Sequence, residues 1–513
     1  MGVFMLGIFS NKSDHPLANL KAAQQLLDDL PKVDSVEVLH EIGQWIEALF
    51  DPANEFRLDH QFAVLRMLDE AAHPHLRKII HSYFAAVPPN AFQENRMWGA
   101  MNAYFTFCEL GYLDLQIGLK NGEKGSSAIK ASLSLVIARG MYAVSGRMEC
   151  AAVKYSQFDP QLWIRMAEFY AYAETENCLD EQLSPYAGPG ASTSVSRLFA
   201  CVLMWYTASV GSFRPLDLHI AKRLIVYLSK SFVVSEQYQA DSLFTFDLAH
   251  PASPTRVKEE GTMYPPTVRF VGIGAAFDQL DSLIKTLGKD MVPEELNMGV
   301  AYSPVAVSEV VRRLVAYFQT TLPVRRPARR KIKMNISVLS GFFNMVEQTN
   351  VDLNLNDPVS ESMEVEDISA NGLSYVLPAG RASSVKIGTL VGLQPEQALH
   401  WGAGIVRRLR RDTENNLHVG VRILANKVLS VEMHGGSDLT KHPALFLERP
   451  DDQNAESWLL MKTDTFSINQ SPTMLLGDQS FLMLPLALEE KGADFDIVRY
   501  RKMEHDNNVE DAY

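Results

Sequence analysis

"LPVRRPARRKIKMNISVL", residues 322–339, separates two kinds of periodicity in this chain. Before it, apolar residues recur every three to four positions. From its second half onward, Ile332, Met334, Ile336 and Val338 alternate with polar neighbours, the period of a strand with one buried face. Its first twelve residues hold six Arg or Lys and no acid. Pro323 and Pro327 favour an extended, non-helical path. The stretch therefore reads as a basic linker running into the first strand of a β domain.

Upstream, the pattern is helical. In "DSVEVLHEIGQWIEALF", residues 34–50, Val38, Leu39, Ile42, Trp45, Ile46, Leu49 and Phe50 make one stripe, and Asp34 with Glu37 forms a capping box at its start. Similar patterns begin near Arg57, Ala72, Ala91, Ser127, Gln161, Ser196 and Pro215, with no 34- to 45-residue repeat among them. Residues 249–268, rich in Pro, Thr and charge, read as a linker or long loop, and 269–321 as a helical connector. Downstream of the basic segment, Leu373, Tyr375 and Leu377 alternate, as do Leu417, Val419, Val421 and Ile423. Short alternating strands broken by Gly and Asn predict a small antiparallel barrel over 322–430. The runs "PALFLER", "SWLLMK", "TMLLG" and "FLMLPL" predict a β-rich extension over 431–513. The expected fold is multidomain α + β: an α-helical domain over 1–248, then the connector, the barrel and the extension.

The totals narrow the function. A chain of 513 residues exceeds one core. A formal charge of −13 argues against bulk nucleic-acid binding and against general affinity for anionic membranes, so an anionic ligand needs a local basic cluster. The scattered Cys108, Cys150, Cys178 and Cys201 fit reduced, mostly buried thiols better than a disulfide framework or zinc knuckle. No run approaches the roughly 18 apolar residues of a membrane span, and the N-terminus lacks a secretory signal, so a cytoplasmic location without membrane insertion is expected. Catalytic strings fail individually. "EAL" at 47–49 lies in an amphipathic helix without partner carboxylates, and "HGGSD" at 434–438 lacks a nucleophile elbow. Phe277 stands where "VGIGAAF" needs its third glycine, and "HPH" at 73–75 reads as surface-loop histidines. No catalytic or metal-ligating constellation remains, so neither an enzyme nor a metal cofactor is expected.

The basic cluster holds two overlapping R-x-x-x-R pairs, Arg325 with Arg329 and Arg326 with Arg330. "VEDISANGLSYVLP" follows, with D-x-S-x-x-G as Asp367, Ser369 and Gly372, and then "LHVGVRIL". In this order, on a small β-barrel pattern, these motifs resemble the PilZ domain, the bacterial cyclic di-GMP receptor module, over residues 322–430. The resemblance implies cyclic di-GMP as ligand, bound by Arg325, Arg326, Arg329, Arg330, Asp367, Ser369 and Gly372. Arg325 with Arg329 is the preferred register, and Arg326 with Arg330 stays open. The gap from Arg329 to Asp367 is longer than the family's usual one and reads as an insertion between the first two strands.

The residue chemistry suits that ligand. The guanidinium fork binds phosphate bidentately and also reaches guanine O6 and N7. A carboxylate such as Asp367 accepts from the guanine ring N–H and amine, Ser369 bonds phosphate or base, and Gly372 permits a tight backbone turn. A second basic run, Arg407, Arg408, Arg410 and Arg411, reads as an exposed strand end and turn. The expectation is a non-catalytic cyclic di-GMP effector whose helical region binds a protein partner. The alternative is a PilZ-like docking adaptor or scaffold that no longer binds the ligand, with Asp367 and Ser369 serving a structural turn.

Overall fold

A computed structural model of the chain describes residues 15–30, 33–85, 89–188, 192–208, 210–258, 262–296, 302–319, 330–332, 334–350, 361–369, 371–381, 385–435, 441–449, 456–477 and 479–504. Two compact units divide it: one runs to Leu322, and the other takes Pro323 onward together with the short segments 155–157 and 211–214. The class is multidomain α + β, as expected, with helices first and antiparallel strands after.

The first unit contains α1 (Leu20–Asp28), α2 (Ser35–Leu49), α3 (Leu58–Tyr83), α4 (Ala91–Asn121), α5 (Ser126–Ile129) and α6 (Leu133–Val153). It continues with α7 (Pro160–Thr175), α8 (Val195–Thr207), α9 (Pro215–Leu228), α10 (Ala276–Leu287) and α11 (Pro304–Phe318). Asp34 caps α2, accepting from the backbone N–H of Val36 and Glu37 at 2.9 and 3.4 Å, and Arg96 closes on its other oxygen at 2.6 Å. Ser194, from the Ser/Thr-rich segment before α8, caps that helix by accepting from Arg197 N–H at 3.3 Å. The centre of the unit is α6. A Cβ at Gly140 would lie 2.3 Å from the Phe169 ring, and one at Gly146 2.5 Å from Phe105, so aromatic rings of α7 and α4 rest on bare α6 backbone. This position explains its composition. Ser126–Val153 is the one described stretch long and apolar enough to cross a membrane, and 61% of its apolar window is buried here as a core helix.

Two expectations change in α3. "HPH" is not a surface loop, and no helix starts near Ala72: Pro74 sits inside one helix. Proline removes one backbone hydrogen bond, but Leu65, Leu68, Ala72, Leu76 and Ile79 are buried on both sides of it and hold the helix together. His73 stacks on Tyr186 with centroids 4.1 Å apart. Burial, then Arg77 and Arg139, push its imidazole down to about 4, so it stays neutral. Beside it, fully buried Asp69 accepts from the hydroxyls of Tyr104, Tyr112 and Tyr186 and meets Arg139 at 3.3 Å. Burial raises this carboxyl above its usual range despite the arginine and the three hydroxyls.

Residues 249–268, expected as a linker or long loop, run within this unit. They connect β2 (Ser242–Asp247) to β4 (Val268–Gly272) and carry β3 (Thr255–Arg256); with β1 (Val233–Ser235) these form a sheet of order β1-β4-β2-β3. The sheet escaped detection because β4 is buried at every residue and β2 at all but its last, which leaves no alternation to read. Phe246 packs on Trp163 and Phe199, and Arg269 grips Glu174 through two bonds of 2.8 and 2.6 Å, fixing the sheet to α7 and α8. All four cysteines are free thiols, three of them buried.

In the second unit, β5 (Arg330–Lys331) leads into β6 (Asn335–Ser340), followed by α12 (Phe342–Thr349), β7 (Glu361–Ser369), β8 (Gly372–Leu377), β9 (Leu390–Pro395), β10 (Gly402–Arg411) and β11 (Leu417–Ala425). Strands β6-β7-β8-β11-β10-β9 close into an antiparallel ring. Most of the alternating residues read from the sequence point inward: Ile336, Val338, Leu373, Tyr375, Leu377, Leu417, Val419 and Val421 share one core, Met334 and Ile423 pack against it partly buried, and Ile332, ahead of β6, is exposed. The extension is a second barrel. Its strands β12 (Lys427–His434), β13 (Lys441–Glu448), β14 (Glu456–Lys462), β15 (Thr473–Leu476), β16 (Gln479–Lys491) and β17 (Phe495–Glu504) close in the order β12-β13-β14-β17-β16-β15. Counted from the first strand of each, both rings run first, second, third, sixth, fifth, fourth.

The two barrels share a core. Leu339, Trp401 and Leu424 of the first pack with Leu445, Leu460 and Phe495 of the second, around Phe342 and Met345 of α12. The insertion expected between the first two strands thus begins as a helix wedged between the barrels. Asp494 caps that helix, accepting from Phe342 N–H at 2.7 Å. Residues 351–360, the rest of the insertion, lie outside the described residues.

Candidate functional site

The D-x-S-x-x-G segment forms the β7–β8 hairpin, with Ser369 opposite Gly372. The Ser369 hydroxyl donates to the Gly372 carbonyl at 3.1 Å, and Ile423 N–H donates to the Asn371 carbonyl at 3.1 Å, fastening the turn to β11. Gly372 was expected to supply a tight turn; its φ is ordinary, and the demand for glycine has another source. A Cβ there would stand 2.7 Å from the Val421 carbonyl oxygen, so the two backbones approach as only glycine permits. One step earlier, β7 has a bulge: Val365 faces Tyr375 and Asp367 faces Ser374, which leaves Glu366 as the extra residue. Glu366 accepts from His418 at 2.8 Å, whose other ring nitrogen meets Asp412 at 3.2 Å.

The basic linker arrives at this hairpin. Arg330 pairs with Ile368 and Lys331 with Asp367, extending the edge of β7 that β6 uses further along. Arg330 and Lys331 are both exposed. The structure thus brings Arg330, Asp367, Ser369 and Gly372 together at one end of the barrel, despite the long insertion. Arg325, Arg326 and Arg329 lie outside the described residues.

Across the hairpin stands a wall the sequence reading did not assemble. On β11, Gly420 pairs with Ser374 and Arg422 with Gly372. On β10, Arg408 pairs with Gly420. Leu417, Val419 and Val421 fill the core, so alternation turns His418, Gly420 and Arg422 outward beside the hairpin. That signal was present in "LHVGVRIL": an arginine two positions after an outward glycine. Part of the second basic run has a different place from the one expected. Arg407 is no free strand end but joins Glu490 of the second barrel through both carboxylate oxygens at 2.5 and 2.6 Å, and Arg422 shares that carboxylate at 2.8 Å. Burial opposes the charge of Glu490, yet the two arginines more than offset it and hold its carboxyl below the usual range. Burial, then the like charges of Arg407 and Arg449, lower the pKa of Arg422. Among the described residues no group of His, Cys, Asp and Glu could hold a metal ion.

An antiparallel six-stranded barrel with a charged hairpin on its outer face, preceded by a large helical unit, is the architecture these observations define. The helical part matches the family model described as the N-terminal domain of the cyclic-di-GMP receptor FimW, over residues 21–238, less than half of the chain. The match covers the region in which the sequence reading found no resemblance. No curated protein matches the chain.

Proposed function

We propose that the chain is a non-catalytic, cytoplasmic effector of cyclic di-GMP. The ligand sits on the outer face of the first barrel at the β7–β8 hairpin. Asp367 accepts from a guanine edge, Ser369 bonds phosphate or base, and the arginines of 325–330 clamp the phosphates and stack on the bases. The helical unit is the output part, which meets a protein partner. The observation that carries this reading is the pairing of Arg330 and Lys331 with Ile368 and Asp367, which delivers the basic linker to the D-x-S-x-x-G hairpin. The match of residues 21–238 to a domain of a cyclic-di-GMP receptor supports it independently. Ligand that favours the linker laid on the barrel shifts that arrangement and so changes what the helical unit presents.

Isothermal titration calorimetry with cyclic di-GMP tests it. Wild type is expected to bind at micromolar strength or better, and Asp367→Ala to weaken binding at least about tenfold, the loss of one charge-assisted bond. No heat with wild type at about a hundred micromolar ligand, some hundredfold above that expected constant, would leave the docking-adaptor reading in its place.

A further inference from the structure

The second barrel sends one carboxylate into the arginine wall of the candidate site. Arg422, opposite Gly372 of the hairpin, and Arg407 converge on Glu490. Two guanidiniums therefore face one carboxylate. Arg408, on the same outward side of β10 and exposed, makes no ion pair among the described residues. A structural strut between barrels needs one arginine and one acid. An excess of arginine on the face that carries Ser369 and Gly372 is instead the composition of a phosphate site.

The two bridges differ in kind. Arg407 takes both oxygens of Glu490 and its side chain is 30% exposed; Arg422 takes one oxygen and is 46% exposed. The exposed, single bond is the weaker. We propose that Arg422 is a further ligand-binding residue of this site, and that Glu490 is an internal competitor that occupies it until a phosphodiester takes its place. The inference rests on the cyclic di-GMP reading of the hairpin. Arg407 keeps its two bonds when Arg422 turns to the ligand, so the barrels stay joined while the junction loses one bridge. A bridge present only without ligand couples the site to the second barrel, and by linkage that barrel tunes affinity in return.

Calorimetry on the full chain separates the possibilities, with cyclic di-GMP as the probe and five proteins: wild type, Asp367→Ala, Glu490→Gln, Arg422→Ala and the double variant of Glu490 and Arg422. Removing the competitor is expected to tighten binding about fivefold, the low end of ordinary coupling. Arg422→Ala is expected to weaken binding by a similar or larger factor, and Glu490→Gln to change nothing in that background. Should melting curves show that Glu490→Gln does not fold, Glu490→Asp replaces it: the shorter acid keeps its charge for Arg407 and loses reach to Arg422, and the same gain is expected. If wild type binds and Asp367→Ala weakens it while the Glu490 variants bind like wild type or worse, the competitor idea is wrong and the site reading stands. If none of the proteins binds, both fall.

Discussion

In the first barrel, the outward positions of β7, β8 and β11 hold Asp367, Ser369, Gly372, Ser374, Gly420 and Arg422, short or charged side chains beside the hairpin, of which Gly372 and Ser374 are buried. In the second barrel the corresponding strands are apolar on both sides. Phe446, Leu459 and Val498 point into its own core, while their neighbours Leu445, Leu460 and Ile497 pack against the first barrel. The same ring order thus carries two surfaces: on these strands one barrel keeps short and charged residues outward, and its companion commits the corresponding strands to packing. Topology fixes which strands are neighbours; the residues on the outward positions decide whether a site exists.

The largest effect is expected at the core the two barrels share. Phe495 is fully buried on β17 among residues of both barrels. Phe495→Ala is expected to cost about 3–5 kcal/mol, the usual range for deleting a buried ring. Hydrogen exchange on the full chain should then show protection lost in β6, β9, β10 and β11 as well as in β12 to β17. Loss confined to the second barrel would mean that each barrel is stable alone and that the interface adds little.

This two-faced burial also explains what could be read from the sequence. The first barrel announced itself because its strands alternate, and its interior residues stand where that alternation put them, except Ile332 ahead of β6, which is exposed. "PALFLER" and "SWLLMK" were legible as strands but not as a barrel, since a strand buried on both faces looks like any apolar run. The same effect hid β2 and β4 in the helical unit. Of the candidate site, the hairpin residues were legible through their motif, whereas the place of Arg422 needed the register that sets it opposite Gly372. Glu490, 68 residues further on, carries no local signal at all.

A smaller effect is expected at Gly372, in the hairpin itself. Because an added Cβ would press on the Val421 backbone oxygen at 2.7 Å, and backbone cannot swing aside as a side chain can, Gly372→Ala is expected to destabilise the second unit by about 1–3 kcal/mol. Thermal melts report the loss. An unchanged melting temperature would show that β8 and β11 separate readily there, and the close approach would no longer account for glycine in the motif.

Ser369 distinguishes the two duties of the hairpin with the smallest effect. Its hydroxyl makes one bond, to the carbonyl of Gly372, at a partly exposed turn. Removing such a bond costs about 0.5–1.5 kcal/mol, less where water replaces the donor. Ser369→Ala should therefore lower the melting temperature by about 1–6 °C for a unit of this size. If Ser369 also meets the ligand, the same variant should weaken cyclic di-GMP binding about tenfold, out of proportion to its small structural cost. Stability and affinity falling together by equally small amounts would make Ser369 a turn-forming residue, and the site would then rest on Asp367 and the arginines. An affinity loss with the melt nearly unchanged would separate the first barrel from its companion by chemistry as well as by packing.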